Sequence, residues 1–261
     1  RTYERTHRNL REAVGVAFAA ACRCVHTYAE LHGRSARSDA LQAAVQAYAP
    51  SALLVVDSDW VSVPPWARGL SFHGRFSSLA AVATVEALRH VHSAGRVACG
   101  SHTRAGALGL KSRPDVLVDP RTLASSAERA QAWLATNRSR LLLVGCVNTD
   151  GRSQEPAGVS DVLYLATPEV FDRMGTYDLL SCMEAQRRRE AAGGQKVWVW
   201  IDHCLLSWLR AESVHVVPFH GYMGILRASG VVTPVHCYVP PRDRVAPHPP
   251  APEWFRSGRL T

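Results

Sequence analysis

Apolar residues recur along this chain with two different periods. From residue 4 to 31, Leu10, Val14, Ala17, Ala21, Val25 and Tyr28 fall on one face of a 3.6-residue repeat, which predicts a long helix ending near Gly33. A second helix is expected over 38–49, opened by Ser38 and Asp39 and stopped by Pro50. Leu53 to Val56 is a short β-branched run, the pattern of a buried strand. After Pro64-Pro65 a helix over 78–92 is expected, and from there strands and helices alternate. Strands are expected at 97–99, 115–118, 141–147, 162–166, 197–201, 214–217 and 235–239. Helices are expected at 124–136 and 167–192, the latter broken near Gly175. Such alternation predicts an α/β fold, with a mostly parallel, Rossmann-like sheet and helices on both faces. Residues 1–80 form a largely helical N-terminal extension with one strand, 81–239 the α/β core, and 240–261 a proline-rich C-terminal arm. That arm, with six prolines and four arginines, is expected to be extended and outside the core.

Composition narrows the function classes. With 261 residues and 47% hydrophobic content the chain can bury a sizeable core, and no run of eighteen apolar residues suggests a membrane span. The net charge of +8 comes almost wholly from arginine, since Lys111 and Lys196 are the only lysines among 30 basic residues. A GC-rich coding sequence produces that skew without function. Equally, guanidinium groups fork onto phosphates and stack on bases, as an RNA-embedded protein requires. The charge is spread along the chain, which suits embedding on many sides. Seven cysteines, an odd number with no CxxC pair, argue against a disulfide framework and for buried thiols in a reducing compartment. The chain opens on Arg1 with no methionine, which either a removed targeting peptide or a sequence only partly captured would explain.

Several constellations could carry chemistry. Val55-Val56-Asp57-Ser58-Asp59 ends an apolar strand with two aspartates one residue apart, as haloacid-dehalogenase-type phosphatases and metal-holding Asp-x-Asp transferases do. The required later lysine and paired acidic motif are not at hand, so Asp57 and Asp59 are expected to be structural. A PIN-type nuclease would use Asp57 with Glu86, Asp150 and Asp161 to hold magnesium. Asp202-His203-Cys204 places an acid, a base and a thiol in sequence, but chain neighbours seldom align as a triad. No P-loop and no strand-following GxGxxG supports nucleotide binding, and neither a cofactor nor a metal site is expected.

From Glu86 to about residue 222 the order of motifs resembles the universal small-subunit ribosomal protein family S-two. Gly100-Ser101-His102-Thr103-Arg104 and Lys111-Ser112-Arg113-Pro114 resemble its Gly-x-His segment and basic loop. Val116-Leu117-Val118-Asp119-Pro120-Arg121-Thr122 resembles its strand with an Asp-Leu-x-x-Thr signature. Leu141 to Gly145, Ser160 to Ala166, Gly194 to Asp202 and Val214 to Gly221 are similar to its later strands. The family's Arg-Trp-x-Gly-Gly segment and long helical hairpin are absent, and residues 1–80 and the arm have no counterpart. Trimming plus extension suits a mitochondrial ribosome. The resemblance implies a non-catalytic scaffold in the mitochondrial matrix, bound to ribosomal RNA and neighbouring ribosomal proteins, with no membrane and no small-molecule substrate. Its expected RNA contacts are Arg68 and Arg75 in the extension, His102, Arg104, Lys111 and Arg113 in the basic loop, and Arg138 and Arg140 before a strand. The alternatives are a metal-dependent phosphohydrolase or nuclease built on Asp57 and Asp59, and a protein-binding scaffold that touches no RNA.

Overall fold

The computed structural model describes residues 2–17, 26–31, 46, 52–57, 64–67, 108–113, 115–149, 156–174, 176–193, 201–227, 229–237 and 250–259. Its elements run α1 (Thr2–Ala17), β1 (His26–Leu31), β2 (Ala52–Asp57), β3 (Gly109–Ser112), β4 (Val116–Val118) and α2 (Pro120–Thr136). Then come β5 (Leu142–Thr149), β6 (Pro156–Ala166), α3 (Pro168–Met174), α4 (Leu179–Ala192) and α5 (Ile201–Ala211). The last are β7 (His215–Pro218), β8 (Met223–Leu226), β9 (Val232–Val235) and α6 (Glu253–Ser257). A 3-10 turn, Pro65–Ala67, lies between β2 and β3.

The fold is mixed α/β, built on a four-stranded sheet in the order β3-β6-β5-β7 and a three-stranded sheet in the order β4-β8-β9; β1 and β2 form a separate pair. Among the described pairings only β5–β7 and β1–β2 are parallel. The pairs β3–β6, β5–β6, β4–β8 and β8–β9 are antiparallel. The expectation of a mostly parallel sheet is therefore corrected. β6 starts at Pro156, well before Val162, and runs antiparallel alongside β5.

The four-stranded sheet is buried on both faces. Leu142, Val144 and Cys146 of β5, with Leu163 and Leu165 of β6, face α1, α2 and the smaller sheet. Leu143 and Val147, with Val159, Tyr164 and Ala166, face α3 and α5. Two-sided burial explains why these strands read as nearly continuous apolar runs rather than alternating ones. α1 packs by Leu10, Ala13, Val14 and Ala17 against Leu123, Ala127 and Ala130 of α2. Asn9 on its inner side closes the edge of β4. Its amide donates to the Val118 carbonyl at 3.0 Å, and its oxygen accepts from the Val118 amide at 2.8 Å.

Four further expectations change. Of the helix expected over 4–31, the part to Ala17 is helical, 18–25 lie outside the described residues, and 26–31 is a strand parallel to β2. Thr27 and Tyr28 suit a strand, and pairing outweighs the helical spacing that Val25 and Tyr28 happened to share. The strand expected at 197–201 fails at Ile201, which opens α5, while 197–200 lie outside the described residues. Ile201, Leu205, Trp208 and Leu209 carry the helical spacing that the shorter β-branched run had hidden. Strand β8 was not expected; Met223–Leu226 is only four residues long and includes Gly224. Finally, the C-terminal arm is not wholly extended. Gly258 accepts from the Val232 amide at 2.7 Å, Val231 bridges to Arg259, and Trp254 of α6 covers Leu117, Leu226 and Val232. The expected helices over 38–49 and 78–92 and the strand at 97–99 lie outside the described residues, save residue 46, which is helical.

One polar clasp joins the two sheets. Asp119 caps α2, accepting from the Thr122 amide at 3.0 Å and from its hydroxyl at 2.9 Å. The same hydroxyl accepts from the Tyr222 amide at 3.1 Å, which pins the turn between β7 and β8. Gly221 in that turn has φ 146°, and a Cβ there would stand 2.1 Å from Thr122 Oγ1. Gly221→Ala is thus expected to destabilise the fold by about 2–4 kcal/mol, combining backbone strain with overpacking. Asp119→Ala should cost about 1 kcal/mol. Urea unfolding of both variants measures this, and an alanine at 221 within error of the parent would sink the clasp as described.

Candidate functional site: a buried charge cluster and an arginine turn

The chemistry-bearing residues of the described chain gather in two places. The first lies where β3, β6 and the start of α5 meet. Lys111 points from β3 onto the face that carries α5, opposite Tyr164 in the strand register, with Nζ 5.5 Å from the ring centroid. It is 7% exposed. Asp161 and Asp202 attract it, and Arg113 and Asp115 stand close enough to perturb it. Asp202 is the second residue of α5 and accepts from Asn148 Nδ2 at 2.7 Å and from the Asp161 backbone. This approach of helix to strand requires Gly158, where a Cβ would meet Asp202 Cβ at 2.8 Å.

Burial sets the electrostatics. Desolvation pushes the Lys111 ammonium down to about 8, against the attraction of Asp161. Desolvation, then the Asp161 charge, pushes the Asp202 carboxyl up to about 7, while the hydrogen bonds and Lys111 hold it from going higher. Burial also raises the Tyr164 phenol well above its usual range. An amine and a carboxyl that both titrate near neutrality can exchange protons with a reacting group. They can equally help to pin α5 to the sheet, through the Asn148–Asp202 hydrogen bond and the attraction between the two charges.

The second place is the connection from α2 to β5. Asn137 caps α2 by donating its backbone and side-chain amides to the Trp133 carbonyl at 3.0 and 2.9 Å. Ser139 Oγ accepts from the Leu141 amide at 3.3 Å, and the Arg140 carbonyl accepts from Thr167 Oγ1 at 2.5 Å. Arg138 and Arg140 are both exposed on this pinned backbone.

The residues expected to contact RNA therefore divide. Arg138 and Arg140 are together and exposed. Lys111 is corrected from a loop contact to a buried strand residue, because Gly109–Ser112 pairs with β6 and turns its side chain inward. Arg113 follows that strand and forks onto Asp115 at 3.0 and 2.8 Å, so its guanidinium is already committed to a carboxylate. Arg68, Arg75, His102 and Arg104 lie outside the described residues, as do Asp59, Glu86 and Asp150. Asp57 ends β2 opposite Leu31 of the parallel strand β1. Of the nuclease-type acids, Asp161 joins Lys111 and Asp202.

The expectation of free buried thiols is also corrected. The four described cysteines form two disulfides, Cys146–Cys237 and Cys182–Cys204, separated by 91 and 22 residues. Nothing in their spacing announces either pair. In Asp202-His203-Cys204 the three groups diverge: Asp202 turns to Asn148, His203 Nδ1 meets Gln186 Nε2 at 3.2 Å, and Cys204 bonds Cys182. No cluster of three or more metal-ligating side chains occurs among the described residues. None of their helices is long and apolar enough to cross a membrane.

Comparison with known protein families, curated proteins and solved structures gives no match.

The charge cluster carries a pH signature. A carboxyl whose proton is held more tightly when folded contributes stability below its ordinary value of 3.8, and that contribution is lost as pH rises through about 7. For Lys111 the depressed value contributes stability above 10.5, lost as pH falls through about 8. The thermal midpoint is therefore expected to decline between pH 5 and 7.5. Asp202→Asn, which keeps the shape and an acceptor oxygen, should flatten that decline. Lys111→Met should shift it to higher pH. Midpoints at constant ionic strength test this; an unchanged profile in Asp202→Asn would show that Asp202 does not titrate in this range.

Proposed function

We propose that this chain is a non-catalytic structural component of a small ribosomal subunit of the mitochondrial type, held against ribosomal RNA and neighbouring proteins in the matrix. The observation that carries the reading is the turn with Arg138 and Arg140. Both guanidinium groups are exposed, two residues apart, on a backbone pinned by Asn137, Ser139 and Thr167. Cα atoms at that spacing in extended chain stand about 7 Å apart. Guanidinium groups carried on a pinned backbone can fork onto neighbouring phosphates, and phosphate contacts position a protein without reading sequence. The ordered resemblance of residues 86–222 to the S-two family supports the same reading. Under it, the parallel pair β5–β7 belongs to a Rossmann-like core, and β3 and β6 are its antiparallel additions.

A second reading has one observation in its favour. Asp57 ends a strand of a parallel pair, and the carboxyl ends of parallel strands are where α/β proteins assemble sites. It would make the chain a metal-dependent phosphohydrolase or nuclease using Asp57 and Asp59.

Binding of the full chain to small-subunit RNA should weaken steeply with salt, with a log–log slope of roughly 0.7 to 0.9 per phosphate neutralised. Arg138→Ala and Arg140→Ala should each lower that slope by about one and weaken binding to all RNA sequences alike. Filter binding at several salt concentrations measures both. A flat salt dependence would favour a scaffold held by proteins alone, and phosphatase or nuclease activity lost in Asp57→Asn would favour the second reading.

A further inference from the structure

We propose that Cys182–Cys204 is a thiol–disulfide exchange site, open to a dithiol reductant, that holds the arginine-bearing helix α4 on α5. The two disulfides of the described chain sit in different surroundings. Cys146 is 0% exposed at the centre of β5, and its partner Cys237 is half-buried against the main core, so that pair is held within the packing of the large sheet. Cys204 is likewise buried and Cys182 half-buried on α4, but this pair lies in a small cluster of its own, outside the sheet core.

What surrounds the pair is thin. Leu179, Met183 and Cys204 form a satellite cluster, packed by Trp66, Tyr177, Leu180 and Ile201, apart from the sheet core. Beyond Met183, α4 runs Glu-Ala-Gln-Arg-Arg-Arg-Glu and offers almost nothing apolar to bury. Along this half Gln186 reaches α5, touching His203 Nδ1 at 3.2 Å and lying 3.8 Å from Cys204 Sγ. The cross-link therefore holds a helix whose own burial is slight, and its loss should be felt locally.

The exchange balances as follows. A thiolate of the reductant attacks Cys182 Sγ and forms a mixed disulfide. The Cys182–Cys204 bond breaks, and Cys204 Sγ leaves with the electron pair. Cys204 lies in the first turn of an eleven-residue helix, whose amide dipoles favour a thiolate there. The second thiol of the reductant, deprotonated, then attacks its own mixed-disulfide sulfur and releases Cys182. The protein gains two electrons and two protons, and the reductant becomes a disulfide. Gln186 Oε1 is placed to accept from the new Cys204 thiol.

This inference does not depend on the RNA-binding proposal. To test it, the oxidised full chain is titrated with dithiothreitol, alkylated with N-ethylmaleimide and mapped by peptide mass spectrometry. Cys182 and Cys204 should be labelled at tenfold or more lower reductant than Cys146 and Cys237. Amide hydrogen exchange over 179–192 should rise several-fold on that first reduction, and equally in unreduced Cys182→Ser. Simultaneous reduction of both pairs would overturn the proposal. So would unchanged exchange after reduction in the parent chain, or a pair that stays reduced after treatment with an oxidised dithiol.

Discussion

Burial of strand β5 on both faces is the constraint from which the rest of the molecule follows. A strand with Leu142, Val144 and Cys146 on one side and Leu143 and Val147 on the other cannot be left against water on either side. It needs a partner strand on each edge and a helical layer on each face. β6 and β7 supply the edges. α1 and α2, with the smaller sheet, cover one face, while α3 and α5 cover the other. At roughly 25 cal/mol per Å² of apolar surface removed from water, this two-sided layer is the main source of stability.

Packing of that kind is non-directional, so polar contacts decide how the layers meet. Asn9 mimics a strand against β4, and Asp119 and Thr122 tie the start of α2 to the turn holding Gly221. Asp202 sets the start of α5 against β6 at Gly158, with Lys111 buried beneath. Each contact leaves a group with little freedom to be replaced, since a buried donor or charge that loses its partner costs more than the contact itself contributed. Stability and the one acid–base cluster of the described chain thus share the same residues.

The arginines divide by the same logic. Arg113 and Arg129 are used internally, on Asp115 and on the Pro218 carbonyl. Arg138 and Arg140 stand outside on a pinned turn. The half-buried disulfide between α4 and α5 lies in the satellite cluster, apart from the sheet core, so chemistry there can change a helix without unfolding the sheet.

Local pattern alone was enough to place β2, β4, β5, β7, α2 and the break between α3 and α4, because long apolar runs and turn residues act on near neighbours. The helix start at Pro120, capped by Asp119, lies four residues before the 124 that the pattern indicated. The family resemblance singled out Lys111, and local pattern singled out Asp161 and Asp202, yet neither could bring the three together or show that Lys111 is buried. The direction in which β6 runs, the pairing of cysteines 91 residues apart and the return of residues 250–259 onto β9 were decided by tertiary structure. So was the switch from helix to strand at residue 26. The physical reason is common to all of these: periodicity reports which residues want to be buried, whereas the partner that buries them is chosen by contacts distant in sequence, whose energies no local window contains.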